Sequence, residues 1–159
     1  MKTKTFINLF IMSVITFGAA MALCSCDSKD DGESSADWEL RNTINGPQWH
    51  VITVKNTGGT WTGEGELPFW FEVKFSASKH NFSSKLFYYK DGVADESTRE
   101  EYTSANNTAY TIKNAQIIEG TVGGKPYFRM TLKAKVTSEL HCDLYFYNSN
   151  KTYEVKMSR

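Results

Sequence analysis

Groups able to do chemistry are sparse in this chain. The three histidines, His50, His80 and His141, stand far apart, and none falls in a His-x-x-x-His or Cys/His arrangement, so a recognised zinc signature is missing. His141 and Asp143 would share one face of a strand and make half of a catalytic dyad. No serine nucleophile motif stands near them, and Lys133 and Lys156 are the expected cross-strand neighbours of Asp143, which makes this a salt-bridged outer face. Glu64 and Glu66 alternate on a Gly-rich stretch as glycosidase carboxylates sometimes do, but two acids this close in sequence are commonplace. Gly58-Gly59 and Gly123-Gly124 lack the strand–glycine–helix setting of a phosphate cradle. The residues offer no catalytic set, no metal ligands and no cofactor motif.

Cysteine is where the sequence does point to a reaction. Residues 1–25 have the form of an export signal, with Lys2 and Lys4 ahead of an apolar run from Phe6 to Leu23. The run is about as long as a short membrane span, so the residues at its end decide between a retained helix and a cleaved signal. Leu23-Cys24-Ser25-Cys26 resembles a bacterial lipobox, with Leu three positions before the modified Cys and a small Ser immediately before it. The resemblance implies diacylglyceryl attachment to Cys26, cleavage between Ser25 and Cys26, and acylation of the new amino group. Cys24 is a poorer acceptor because bulky Leu23 would precede it; the alternative is an ordinary cleaved signal with no lipid. At roughly 0.8 kcal/mol per buried methylene, three acyl chains make dissociation negligible, whereas one would be marginal.

Residues 26–37 are small and acidic, with Asp27, Asp30, Asp31, Glu33 and Asp37 against Lys29, and read as a flexible tether of roughly 15–20 Å reach. Lys29-Asp30-Asp31 is similar to the acidic surface-export signal of Bacteroidetes lipoproteins, which implies the outer membrane and its cell-surface side; the bland reading is a solvated spacer. Cys142 is then the one cysteine left in the folded part, so internal disulfides are excluded and the core must carry stability.

The remaining residues, 38–159, have the length of one domain. A formal net charge of zero argues against a nucleic-acid partner, and 40% hydrophobic residues with 14% aromatics exclude wholesale disorder. All the aromatics except Phe6, Phe10 and Phe17 fall in this domain. No sustained helical period is visible, while period-two alternation recurs in Phe69–Ala77, Phe128–Val136, Leu140–Tyr147 and Thr152–Met157. Pairing neighbouring runs tests the pattern. With a loop at 77–80, Phe75 faces Phe82, Phe71 faces Leu86 and Phe69 faces Tyr88, while Trp70 meets Phe87 and Glu72 meets Lys85 outside. A final hairpin turning through 148–151 pairs Phe146 with Tyr153, Leu144 with Val155 and Asp143 with Lys156; the turn at 137–139 brings Lys133 opposite Asp143. Apolar pairs inward and opposite charges outward are what cross-strand energetics and register both require. Residues 91–107 read as a polar connection with one short strand near Tyr102, and the Ile117-Ile118 doublet predicts a bulge. The expectation is an all-β fold, an antiparallel up-and-down barrel of about eight strands, with a β-sandwich as the alternative.

Two further segments resemble the lipocalin-like, calycin-type lipoproteins of Bacteroidetes. Asn45-Gly46-Pro47-Gln48-Trp49-His50-Val51 is similar to a Gly-x-x-Trp variant of the lipocalin opening motif, and residues 110–117, Tyr-Thr-Ile-Lys-Asn-Ala-Gln-Ile, to the mid-barrel hairpin of that group. The stricter motif is Gly-x-Trp. The resemblance implies that Trp49 closes one barrel end beneath a late basic residue, here Arg159, through a cation–π contact; the alternative is a frayed terminal Arg.

The aromatics then define two candidate surfaces. Phe69, Phe71, Phe75, Tyr88, Met130 and Phe146, with Cys142, would line a cavity for a small hydrophobic ligand, or would themselves fill the barrel. Trp70, Phe87 and Tyr89 fall outside on one hairpin, where they would stack on a sugar ring or a protein partner unless a loop covers them. The function expected is a non-enzymatic binding module, held to the outer membrane by its lipid. The alternatives are an accessory subunit of a surface glycan-uptake or adhesion complex, and a small barrel hydrolase or isomerase.

Overall fold

The computed structural model describes residues 32–159; the export signal, Cys26 and the tether up to residue 31 lie outside the described residues. A helix, α1 (Ser35–Ile44), precedes nine strands: β1 (Gln48–Val54), β2 (Phe69–Ser76), β3 (Asn81–Lys90), β4 (Val93–Tyr102), β5 (Thr108–Lys113), β6 (Ile117–Val122), β7 (Lys125–Leu132), β8 (Glu139–Phe146) and β9 (Lys151–Ser158). They form one antiparallel sheet in the order β4-β3-β2-β1-β9-β8-β7-β6-β5. Every strand lies beside its sequence neighbours except across the β4–β5 connection, and β9 returns to β1. This is an up-and-down barrel, nearly closed. Between β4 and β5 the ladder is missing, and β3 instead meets β5 where the Tyr110 N–H donates to the His80 carbonyl at 3.0 Å and Thr108 Oγ1 to the Phe82 carbonyl at 2.6 Å.

The β2–β3 register is the one the apolar and charged pairs require, from Phe69 opposite Tyr88 to Phe75 opposite Phe82, with Glu72 opposite Lys85. The last hairpin keeps the expected faces but turns one residue earlier. Leu144 pairs with Tyr153, Cys142 with Val155 and His141 with Lys156, so Asp143 stands opposite Glu154 rather than Lys156. Lys133 lies beside His141, its N–H donating to that carbonyl at 2.9 Å, and it reaches Asp143 diagonally at 3.0 Å.

Four other expectations need correction. Residues 91–107 contain the ten-residue β4, whose turn, Asp91-Gly92, has positive φ at both positions as a two-residue hairpin demands. β7 stops at Leu132, and Ala134 and Val136 belong to a bend that meets α1. The bulge falls on β7, where Tyr127 is the extra residue between the Gly120–Phe128 and Thr121–Pro126 pairs, rather than at Ile117-Ile118, where pairing with β5 is regular. The helix itself begins at Ser35, inside the segment assigned to the tether. It is short, but its start is well formed: Ser34 accepts the Asp37 N–H at 3.0 Å, Asp37 sits in the first turn, and Leu40 and Ile44 bury the same face.

The barrel interior is a cluster of rings. Phe71 lies 5.6 Å from Phe128 and 5.2 Å from Phe146 between centroids, and Phe82 lies 5.1 Å from Phe128, all edge to face. Such pairs add about 0.5–1.5 kcal/mol each beyond their buried area. Phe128 fits only because residue 120, directly opposite it, lacks a side chain. A Cβ there would stand 2.4 Å from the Phe128 ring, and the ring cannot yield because Phe71, Phe75, Phe82 and Tyr127 surround it. Gly120→Ala is therefore expected to destabilise the protein by about 1–3 kcal/mol through overpacking, and pairing it with Phe128→Leu should recover part of the loss. Denaturant unfolding of the two variants checks this; an unchanged midpoint for Gly120→Ala would show that the core is looser than described.

Candidate functional site

The expected lining residues are placed together, and they fill the space they would have lined. Phe69, Phe71, Met130 and Phe146 are fully buried and Phe75 is 1% exposed. Phe69 and Phe146 meet edge to face at 5.6 Å, so these rings touch one another rather than enclose a ligand. Tyr88 is half-buried at the far mouth, 6.1 Å from Phe69 between centroids, with its hydroxyl 3.4 Å from Ser149 Oγ. Cys142 is a free, buried thiol whose pKa burial pushes well up, which leaves it a packing residue without nucleophilic character.

The outer aromatics form a ladder. His50, Trp70 and Phe87, on β1, β2 and β3, stack nearly parallel, with centroids 5.5 Å apart for the first pair and 6.5 Å for the second. Tyr89 meets Phe87 edge-on at 5.4 Å, and the Arg99 guanidinium covers Phe87 at 5.2 Å. Trp70 Nε1 donates to Glu72 at 3.0 Å. Trp70 thus stands between His50 and Phe87 in a row of part-exposed rings across three strands.

Trp49 is fully buried, and its indole N–H donates to the Ile44 carbonyl at 3.1 Å. What closes this barrel end above it is α1, and the exposed Arg159 is absent from the cation–π contacts among the described residues. Three ties hold the helix. Asn45 Oδ1 accepts the Ala77 N–H at 2.9 Å, the Ala115 N–H donates to the Asp37 carboxylate, and buried Arg41 bridges Glu33 and His80.

Beside the helix lies a cleft of about 370 Å³. Leu40 of α1, Leu132 at the end of β7 and Val136 of the following bend form its floor, with Ala36, Ala115 and Ala134 on the walls. The floor residues are themselves 6–7% exposed, so it is anchored in the core. Gln116 fixes one wall, its carbonyl accepting the Leu132 N–H at 2.8 Å. Lys133 and Lys135 stand at the rim, Lys135 Nζ 3.6 Å from Glu39. The volume falls within the roughly 300–1,000 Å³ of small-molecule sites, and the lining has the usual plan of apolar walls with a few polar groups. Sequence reasoning missed this cleft because three distant segments build it; the available signal was Leu40 and Ile44 four residues apart after a Ser34 cap.

On the outer face of the sheet, joined to the cleft rim through Lys133, Glu154 gathers three donors: His141 Nε2 at 2.9 Å, Lys55 at 3.2 Å and Lys133 at 3.3 Å. Trp61 lies over this group, with Lys156 5.3 Å and Lys55 5.7 Å from its ring centroid and His141 edge-on at 5.5 Å. His141 therefore serves Glu154 and not Asp143. Among the described residues no group of three or more His, Cys, Asp or Glu is arranged to hold a metal ion.

The hydrogen bond from His141, with those from the two lysines, lowers the pKa of Glu154 from the ordinary 4.5 to about 2. A carboxylate lowered on folding adds stability that is complete above its unfolded value and fades as pH falls. Glu154→Gln should accordingly be less stable than the parent at pH 6, with the difference closing between pH 4.5 and pH 2. Thermal unfolding across that range is the check, and a gap that persists unchanged at pH 2 would contradict it.

Comparison with known protein families, with curated proteins and with solved structures gave no match to this chain.

Proposed function

We propose that this chain is a non-enzymatic binding module, lipid-anchored through Cys26 at the cell-surface side of the outer membrane, and that its ligand is small and hydrophobic. The observation that carries the reading is the cleft of about 370 Å³ over Leu40, Leu132 and Val136. With the barrel interior occupied by its own rings, an apolar ligand has its best complement in this groove at the helix-capped end. The groove borders the first residues of α1, so a ligand bound there would lie beside the N-terminal end of the helix.

Two experiments test the reading separately. Ala134 is exposed in the bend, so Ala134→Trp should fill the cleft without disturbing the core. Titration with the fluorescent fatty acid cis-parinaric acid is expected to show saturable binding to the parent and at least a tenfold weaker affinity in the variant, with unchanged melting temperature. Equal binding by both would move the ligand elsewhere, and none to the parent would remove it. For the anchor, Cys26→Ser should shift the protein from the membrane fraction to the soluble one and abolish palmitate labelling; retention in the membrane would refute lipidation at Cys26.

A further inference from the structure

The outer face of β1–β4 carries a second concave surface, polar where the α1 cleft is apolar. Strand register lays its side chains out in rows. His50, Glu72, Lys85 and Glu101 follow one another across the four strands, and Gln48, Lys74 and Ser83 make the next row. Over these rows, with Thr103 at one end, lies a depression of about 210 Å³. On the other side of Glu72 and Lys85, two residues along their strands, Trp70 stands opposite Phe87 in the row of rings that includes His50 and Tyr89.

The polar groups of the depression are uncommitted. Glu72 and Lys85 are opposite in register, yet they are not ion-paired. The Glu72 carboxylate accepts from Trp70 Nε1 at 3.0 Å, and Lys85 Nζ lies over the Phe87 ring, 5.9 Å from its centroid. The side chains of Gln48, Lys74 and Glu101 make no hydrogen bond or ion pair among the described residues.

Two carboxylates and two ammonium groups cancel here, so an anion or a cation would meet a like charge as near as an opposite one. An apolar ligand would strip these groups of water and give no partner in return. What the surface offers is donors from Lys74, Lys85 and the Gln48 amide, acceptors from Glu72 and Glu101, and a border of aromatic rings. A sugar matches all three, because each hydroxyl both donates and accepts while its C–H faces are apolar and pack on rings. The depression has room for about one sugar ring, and the aromatic row continues the surface for the next.

We propose that the outer face of β1–β4 is a binding site for a neutral oligosaccharide. One sugar unit sits in the depression between Glu72, Lys74, Lys85 and Glu101, and its neighbour lies against Trp70 and Phe87. The site shares no residue with the α1 cleft and stands independently of the ligand assigned to it.

An array of defined neutral, carboxylated and sulfated oligosaccharides, probed with the purified full chain, tests this. Calorimetric titration with the neutral oligosaccharide retained best then gives its affinity. Saturable binding is expected, weakened at least tenfold in Trp70→Ala and several-fold in Glu101→Gln. Glu101 is exposed, so Glu101→Gln reports even if Trp70→Ala folds poorly, and Lys125→Gln, at the exposed start of β7, should behave as the parent. The proposal fails if no neutral oligosaccharide binds, if only charged ones do, or if Trp70→Ala and Glu101→Gln both bind as the parent does. Displacement of the sugar by cis-parinaric acid would put it in the α1 cleft and overturn the assignment to this face.

Discussion

The contact between the Phe128 ring and the bare backbone of Gly120 sets the scale of this barrel. The aromatic side chain lies against the backbone of the neighbouring strand where a Cβ would stand, and Phe71, Phe75, Phe82 and Tyr127 pack around it. Once those rings interlock, the centre is solid, and whatever the molecule binds must be taken at its margins. The margins are where the irregular features collect: a helix across one end, a strand that peels away at the seam, and the β1–β2 connection that carries Trp61 on the outer wall.

The outer wall also shows how a charged sheet surface tolerates a like-charge pair. Asp143 and Glu154 stand directly opposite on β8 and β9, a placement that would repel if left alone. Lys133 contacts both carboxylates, Lys55 adds a second cation at Glu154, and His141 adds a hydrogen bond. Trp61 adds cation–π contacts with Lys55 and Lys156 at the edge of the group. The group works as a network, and single ion pairs within it have little separate meaning.

How much of this is legible in the sequence depends on whether inside and outside constraints reinforce each other. In β2 and β3 the apolar pairs and the Glu72–Lys85 pair agree on one register, and the molecule adopts it. In the last hairpin, moving the turn by one residue keeps every side chain on its face, so alternation cannot discriminate. Charge matching then favours Asp143 with Lys156, because directly opposed pairs give no weight to the diagonal reach of Lys133. β4 is hidden by its composition: an edge strand with few apolar residues gives no hydrophobic alternation, although Asp91-Gly92 is a usable hairpin signal. The α1 cleft draws on residues far apart in the chain, and such proximity is set by barrel closure rather than by local pattern.

The pairing of β1 with β9 has a consequence for how the chain acquires its shape. The Lys55–Glu154 contact alone spans 99 residues, so the first strand waits, with one edge unsatisfied, until the last one is available. Loop closure of that length is entropically costly, and it is repaid only when the remaining strands are already in register. The order of events is thereby constrained: hairpins assemble from their neighbours first, and sealing of the ring comes at the end. A chain emerging with its N-terminal end leading would carry an exposed β1 edge throughout, and completion of the C-terminal strand would be the step that removes it.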